Sequence, residues 1–245
     1  LEALAGVNNT WPEWFNLQVE RRYTWVQEWS DHIAAESATD LAEGRKMHPL
    51  QLAIDVQAEM NDGDWLIFDG GNTHFWNEIG VNIAAKRGLK LGGILHPGNY
   101  SLLGVGVSFA FAAKNIHPHK NAVLVTGDGA FLSGGLSIEA CFQEKVPIIV
   151  IVDNNGGLDC ISQQQERLFD NGQHYATDFR DIPFHGMFEG LGGHGELVTK
   201  REEFAPAMQR AIASGKTACI NVKCRGVISP IVAATSDKRD KASIE

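Results

Sequence analysis

The chain has 245 residues, a formal net charge of −9 and a hydrophobic fraction of 44%, enough for one substantial core and a small appendage. No run of Lys and Arg interrupts the acidic balance, which argues against a nucleic-acid or membrane-surface role, and no uninterrupted apolar stretch is long enough to span a bilayer. Cys141, Cys160, Cys219 and Cys224 stand singly without a CxxC pair; they read as reduced thiols, and with no signal-peptide pattern at the start the expected location is cytoplasmic.

The sequence opens at Leu1 rather than Met, within what reads as a helix, so a fragment, a processed product or part of a larger polypeptide is expected. Trp11 to Glu36 predicts a helix. Trp11 and Trp14 are three apart and Trp25 and Trp29 four apart, so each pair shares a face and serves as packing mass for docking. The polar stretch Ser37 to Lys46 reads as a linker. His48-Pro49 opens a helix through Met60, Pro suiting a first turn. Trp65 to Phe68 reads as a strand, followed by the loop Asp69-Gly70-Gly71-Asn72 and a helix through about Ala85.

A short strand near Lys90 to Ile94 precedes a helix from about Leu103 to Lys114. The strand Ala122 to Thr126 follows, then a helix from about Ser137, the strand Val146 to Val152, and a helix from about Leu158 to Phe169. Asp170 to Asp181 is polar and irregular. A short helix from Met187 to Leu191, a strand from Glu196 to Val198, a helix from Arg201 to Ala213 and a strand from Ala218 to Val222 complete the domain. The tail from Ile228 shows no core pattern and reads as a frayed end or a flap. Strands alternating with helices predict an α/β domain, a doubly wound, mostly parallel six-stranded sheet with helices on both faces.

Asp128 and Asn155 carry the chemistry. Each follows a uniformly apolar run of the kind expected in a parallel sheet covered on both faces. Neighbouring parallel strands end on one edge, and in open α/β sheets ligands bind at that carboxyl edge. A carboxylate and an amide oxygen there suit Mg2+ with positions left open for phosphate oxygens. Gly127-Asp128-Gly129 alone is an ordinary turn sequence; its context gives it weight.

The run GDGAFLSGGLSIEACFQEKVPIIVIVDNN, residues 127 to 155, resembles the thiamine diphosphate (ThDP) binding signature. The resemblance extends over about residues 48 to 225 and implies the C-terminal, diphosphate-binding half of enzymes in the acetolactate synthase, 2-hydroxyacyl-CoA lyase and oxalyl-CoA decarboxylase group. It implies metal ligation by Asp128, Asn155 and the carbonyl of Gly157, phosphate contacts from the backbone at Gly129 and Ala130, and a place beside the cofactor for Leu158. Residues 69 to 76 resemble the family's loop after the first strand. There Asn72, flanked by Gly71 and Thr73, would reach the terminal phosphate, as free N–H groups at a helix start also favour; a plain turn with Asn as helix cap is the structural alternative. Ser101 to Gly106 is similar to the aminopyrimidine cradle, with Leu103 wedged beneath the cofactor and the Ser101 carbonyl accepting from the pyrimidine amino group. A Rossmann loop is excluded, because Phe109 stands where GxGxxG needs its third small residue.

By the same resemblance, residues 1–47 are the tail of a preceding domain, 48–227 the diphosphate-binding domain, and 228–245 a tail or lid whose Ser236 to Arg239 charges could meet a CoA phosphate. The family's pyrimidine-binding domain, with its essential Glu, has no counterpart here. A second domain or subunit is therefore expected to complete the site, in a dimer or tetramer. Ile161 occupies the position where pyruvate decarboxylase-like enzymes place a Glu, which fits a lyase or carboligase better. Asp159 replaces a family tyrosine and reads equally as a helix-dipole partner. The expected activity is a 2-hydroxyacyl-CoA lyase-like cleavage of a carbon–carbon bond next to a carbonyl. The alternatives are an acetolactate synthase-like carboligase or 2-oxoacid decarboxylase, and a non-catalytic ThDP-binding subunit. Among the histidines His74 falls near the expected phosphate loop; His194 reads as a packing or surface residue, and His174 and His185 lie in the irregular region with no partner identified.

Overall fold

A computed structural model of the chain describes residues 12–169 and 172–236. Trp11, Asp170 and the charges from Asp237 to Arg239 lie outside the described residues. The strands are β1 (Trp65–Asp69), β2 (Gly93–Leu95), β3 (Ala122–Gly127), β4 (Ile149–Asn154), β5 (His194–Val198) and β6 (Ala218–Lys223). They form one six-stranded sheet in the order β2-β1-β3-β4-β6-β5, and every pairing is parallel. The expected α/β sheet is thus parallel throughout. The helices are α1 (Pro12–Glu43), α2 (Pro49–Ala58), α3 (Asn72–Ala84), α4 (Gly106–Ile116), α5 (Asp128–Gly134), α6 (Glu139–Gln143), α7 (Asp159–Leu168), α8 (Phe184–Gly190), α9 (Phe204–Ser214) and α10 (Pro230–Ser236).

Side-chain alternation along the strands divides the core into two layers. Leu66, Phe68, Val123, Val125, Ile149, Ile151, Ile220 and Val222 pack on one face against Leu52 and Val56 of α2 and Phe204 and Met208 of α9. Ile67, Leu124, Val150, Val152 and Cys219 point to the other face, against Val107 and Ala110 of α4, Phe131 of α5, Cys141 of α6 and Phe184 and Phe188 of α8. β3 and β4 are buried along their whole length, which is why neither shows a polar alternation. A third cluster joins Val26 and Ile33 of α1 to Leu50 and Ile54 of α2 and Trp76 and Ile79 of α3. Trp25 and Trp29 pack on this cluster, Trp29 edge-on to Trp76 at 5.4 Å, so that pair serves as packing mass, whereas Trp14 is exposed.

The chain leaves β1 through α3 to reach β2 on one side, then passes through α4 to β3 on the other. The crevice above β1 and β3 is therefore the switch point where such sheets hold ligands. Three segments differ from the reading of the sequence. The stretch from Ser37 onward is no linker: α1 continues through Glu43 and stops at Gly44, whose φ of 64° supplies a left-handed helix end. The residues after Gly127 are helical at once, as α5. Finally, the start of the tail is the helix α10, with Ser229 fully buried beneath it.

Candidate active site

Asp128 is the first residue of α5 and is held by backbone donors from two strand ends. Its Oδ1 accepts from the N–H of Gly129 at 2.7 Å, and its Oδ2 from the N–H groups of Gly156 at 2.8 Å and Gly157 at 3.1 Å. Because β3 and β4 are in parallel register, Gly127 opposite Asp153, the segment after β4 arrives directly above Asp128. Gly156 makes the turn with a φ of 96°, a conformation that suits glycine. Gly157 then pairs antiparallel with Asp178, where an added Cβ would overlap the Thr177 carbonyl oxygen. The cross-strand bonds run from Leu158 N–H to the Thr177 carbonyl and from Phe179 N–H to the Gly156 carbonyl, each 2.8 Å. The N–H and carbonyl of Gly157 itself therefore face away from that pairing, on the side where its N–H meets Asp128.

Asn155 follows β4, and its Oδ1 is buried with no hydrogen-bond partner among the described residues. An amide oxygen left so is costly unless something occupies the space in front of it. Burial pushes Asp128 up to about 6, against the opposing effect of its three backbone donors. A buried carboxylate beside an unpartnered amide oxygen and an inward carbonyl is a donor set of oxygens only. Among the described residues no positive partner stabilises it, and a hard divalent cation meets that requirement.

Two further stretches converge on the same place. Asp69, at the end of β1, accepts through Oδ2 from the N–H of Gly104 at 2.9 Å and of Gly106 at 2.8 Å. This ties the Ser101 to Gly106 segment to the sheet edge. Ser101 sits at φ 49°, a left-handed conformation that non-glycine residues adopt at a cost of ~1–3 kcal/mol. Every residue expected at the cofactor, namely Gly71, Asn72, Thr73, Ser101, Leu103, Asp128, Gly129, Ala130, Asn155, Gly157 and Leu158, lines one cavity of about 250 Å3. His74, Asp159, Cys160 and Ile161 line it as well.

Asn72 is engaged on both sides of its amide. Its Nδ2 donates to Asp159 Oδ2 at 3.2 Å and Gln163 Oε1 at 3.1 Å, and its Oδ1 accepts from the buried N–H of Ser229 at 3.0 Å. It does not cap α3, whose N-cap is Gly71 with no side-chain bond. Contact with a phosphate requires Asn72 to exchange one of these partners. Asp159 likewise spends its carboxylate on Asn72 and on Gln163 of its own helix. One residue escaped the sequence reading. Asp153 is 2% exposed, accepts from Thr73 Oγ1 at 2.8 Å and is pushed up to about 7, chiefly by burial. Lying inside an apolar strand and one residue before the asparagine pair, it was the only acid in that run, and that was the available signal.

Residues 69–222 match the family described as thiamine pyrophosphate enzyme, C-terminal TPP binding domain. The chain belongs to this family. It is 29% identical over 229 residues to a probable acetolactate synthase of Mycobacterium bovis, an alignment covering 91% of this chain and 38% of that protein. It is 28% identical over 217 residues to a 2-hydroxyacyl-CoA lyase of Oryza sativa subsp. japonica, covering 84% and 35%. The chain thus spans little more than a third of the length of these curated relatives. The Rhodococcus jostii RHA1 thiamine diphosphate-dependent 4-hydroxybenzoylformate decarboxylase superposes with a TM-score of 0.64 at 24% identity, over 75% of this chain and 34% of that one; this supports the fold. Among the described residues no helix is long and apolar enough to cross a membrane.

Proposed function

We propose that this thiamine pyrophosphate family chain supplies the diphosphate- and metal-binding side of an enzyme that cleaves or forms a carbon–carbon bond next to a carbonyl, with 2-hydroxyacyl-CoA lyase-like activity as the first reading. The observation that carries it is the buried, unpartnered Asn155 Oδ1 beside Asp128 on the next strand end. In this reading Asp128, Asn155 and the Gly157 carbonyl would hold Mg2+, a hard ion that oxygen donors suit. The backbone at Gly129 and Ala130 and the loop from Gly71 to Thr73 surround the phosphates. Thr73 stays oriented by its bond to Asp153.

Ser101 and Leu103 also line the cavity, where they would orient the aminopyrimidine. Thiamine diphosphate, when bound, supplies the electron sink for bond breaking beside a carbonyl. The chain's own part is orientation and exclusion of water. Residues 48–227 act as the diphosphate-binding unit, 1–47 as the tail of a preceding domain and 228–245 as a tail or lid. A pyrimidine-binding domain or subunit contributes the protonating Glu, in a dimer or tetramer. The mycobacterial relative favours a second reading, an acetolactate synthase-like carboligase.

The test is calorimetric titration of ThDP into the chain, with Mg2+ and with excess chelator, followed by product analysis after pairing with candidate pyrimidine-binding subunits. Mg2+-dependent binding and turnover of 2-hydroxyacyl-CoA support the first reading, and turnover of 2-oxoacids supports the second. Mg2+-dependent binding without product in any pairing supports a non-catalytic ThDP subunit. Absence of ThDP binding overturns all three.

A further inference from the structure

His74, which lines the cavity, stands together with Glu78 and His96, on the β2 side of β1, whereas Asp128 follows β3 on its other side. His74 and Glu78 are one turn apart on α3, and His96 directly follows β2. His74 Nε2 lies 3.0 Å from Glu78 Oε1. One ligand atom from each of the three residues falls within 4.8 Å of the others. The two imidazole rings meet edge-on at 4.9 Å. Both rest on Phe68, His96 stacked and His74 perpendicular, each at 5.1 Å. Phe68 is a buried residue of β1, so both rings are oriented by the sheet.

We propose that His74, Glu78 and His96 form a site for a borderline transition ion such as Zn2+ or Co2+, separate from the oxygen-only set around Asp128. Two imidazoles and one carboxylate are a nitrogen-rich donor set that suits such ions better than Mg2+. Three protein ligands leave a further position open, and because His74 lines the cavity, that position can take water or a ligand oxygen there. Zinc–nitrogen bonds of roughly 2.0–2.1 Å require His96 to close toward the other two. It can do so because it is exposed, at the loss of the 3.1 Å bond that its Nδ1 accepts from Gly98 N–H. As the ion enters, the proton between His74 Nε2 and Glu78 is given up and Nδ1 carries the ring's proton instead, so that the neutral imidazole would bind through Nε2. The rival account is an ordinary helical His–Glu pair with a neighbouring ring.

The experiment is titration of Zn2+ by calorimetry, and of Co2+ by visible absorption, into the whole chain in Mg2+-free buffer. It compares the unmodified protein with His96→Ala, Glu78→Gln and Asp128→Asn. His96 is exposed and Glu78 partly exposed, so both variants should keep the fold, which far-ultraviolet circular dichroism checks. The proposal expects one equivalent of Zn2+ in the unmodified chain and in Asp128→Asn, with affinity at least about tenfold weaker and the cobalt band lost in His96→Ala and in Glu78→Gln. No uptake by the unmodified chain, uptake unaltered in either of those two variants, or loss confined to Asp128→Asn overturns it.

Discussion

The two oxygens at the centre of the site behave differently when removed. Asp128→Ala strands the N–H groups of Gly129, Gly156 and Gly157, and each unsatisfied buried donor costs ~1–3 kcal/mol. That variant is expected to lose metal-dependent ThDP retention and also to melt several degrees lower by calorimetry; an unchanged melt would show that the carboxylate does not brace the strand ends. Asp128 and Asp153 also set a pH dependence. Burial raises both from the ordinary 3.8, to about 6 and about 7, so the metal-free fold binds more protons than the unfolded chain. Their contribution to stability is therefore present below about 4 and is lost as pH rises through 6 to 7. A cation reverses this by replacing the proton on Asp128, and its affinity falls by up to ~tenfold per pH unit below about 6. The melting-temperature gain from Mg2+ and ThDP should be large near pH 8 and smaller at pH 5, by the ~1.4 kcal/mol that a tenfold loss of affinity represents. A gain independent of pH would remove Asp128 from the ligand set.

Elements decide how well those residues are placed. Gly157 is pressed against the Thr177 carbonyl, so Gly157→Ala should shift the 156–158 turn at a cost of ~1–3 kcal/mol and weaken Mg2+-dependent ThDP binding. A variant with unaltered melt and affinity would show that the turn tolerates a side chain. The strands were legible because buried parallel strands are uniformly apolar, as in Val146 to Val152. Their ends fixed Asp128 and Asn155 on one edge without further information. Other elements were obscured by local chemistry. The segment GDGAFLSGG reads as a loop by its glycines, yet Phe131 docks edge-on to Phe184 at 5.6 Å and tertiary packing holds α5 helical. Helix α10 did carry a signal that went unused: Ser229 before Pro230 is a cap followed by a first-turn proline, and Ser229 Oγ accepts from Val232 N–H at 3.3 Å. Gly44 was a similar stop signal for α1. The pairings of Asn72 with Asp159 and Ser229 were invisible in the sequence, since they join residues 87 and 157 positions apart.

At the scale of the whole molecule, the chain matches little more than a third of the length of its curated relatives, and in the proposed function it supplies one side of a shared site. Isolated chain should bind ThDP with Mg2+ yet release no product from 2-hydroxyacyl-CoA until a pyrimidine-binding subunit is added; turnover by the chain alone, measured by chromatography of the products, would show the site to be complete. The sharpest single measurement is calorimetric ThDP affinity, with Mg2+ present, for Asn155→Ala against the unmodified chain, with the metal-free melt of each as control. Since Asn155 Oδ1 has no partner among the described residues, its removal should leave the metal-free melt within ~0.5 kcal/mol while weakening Mg2+-dependent affinity at least about tenfold. An affinity equal to that of the unmodified chain would contradict the placement of the ion.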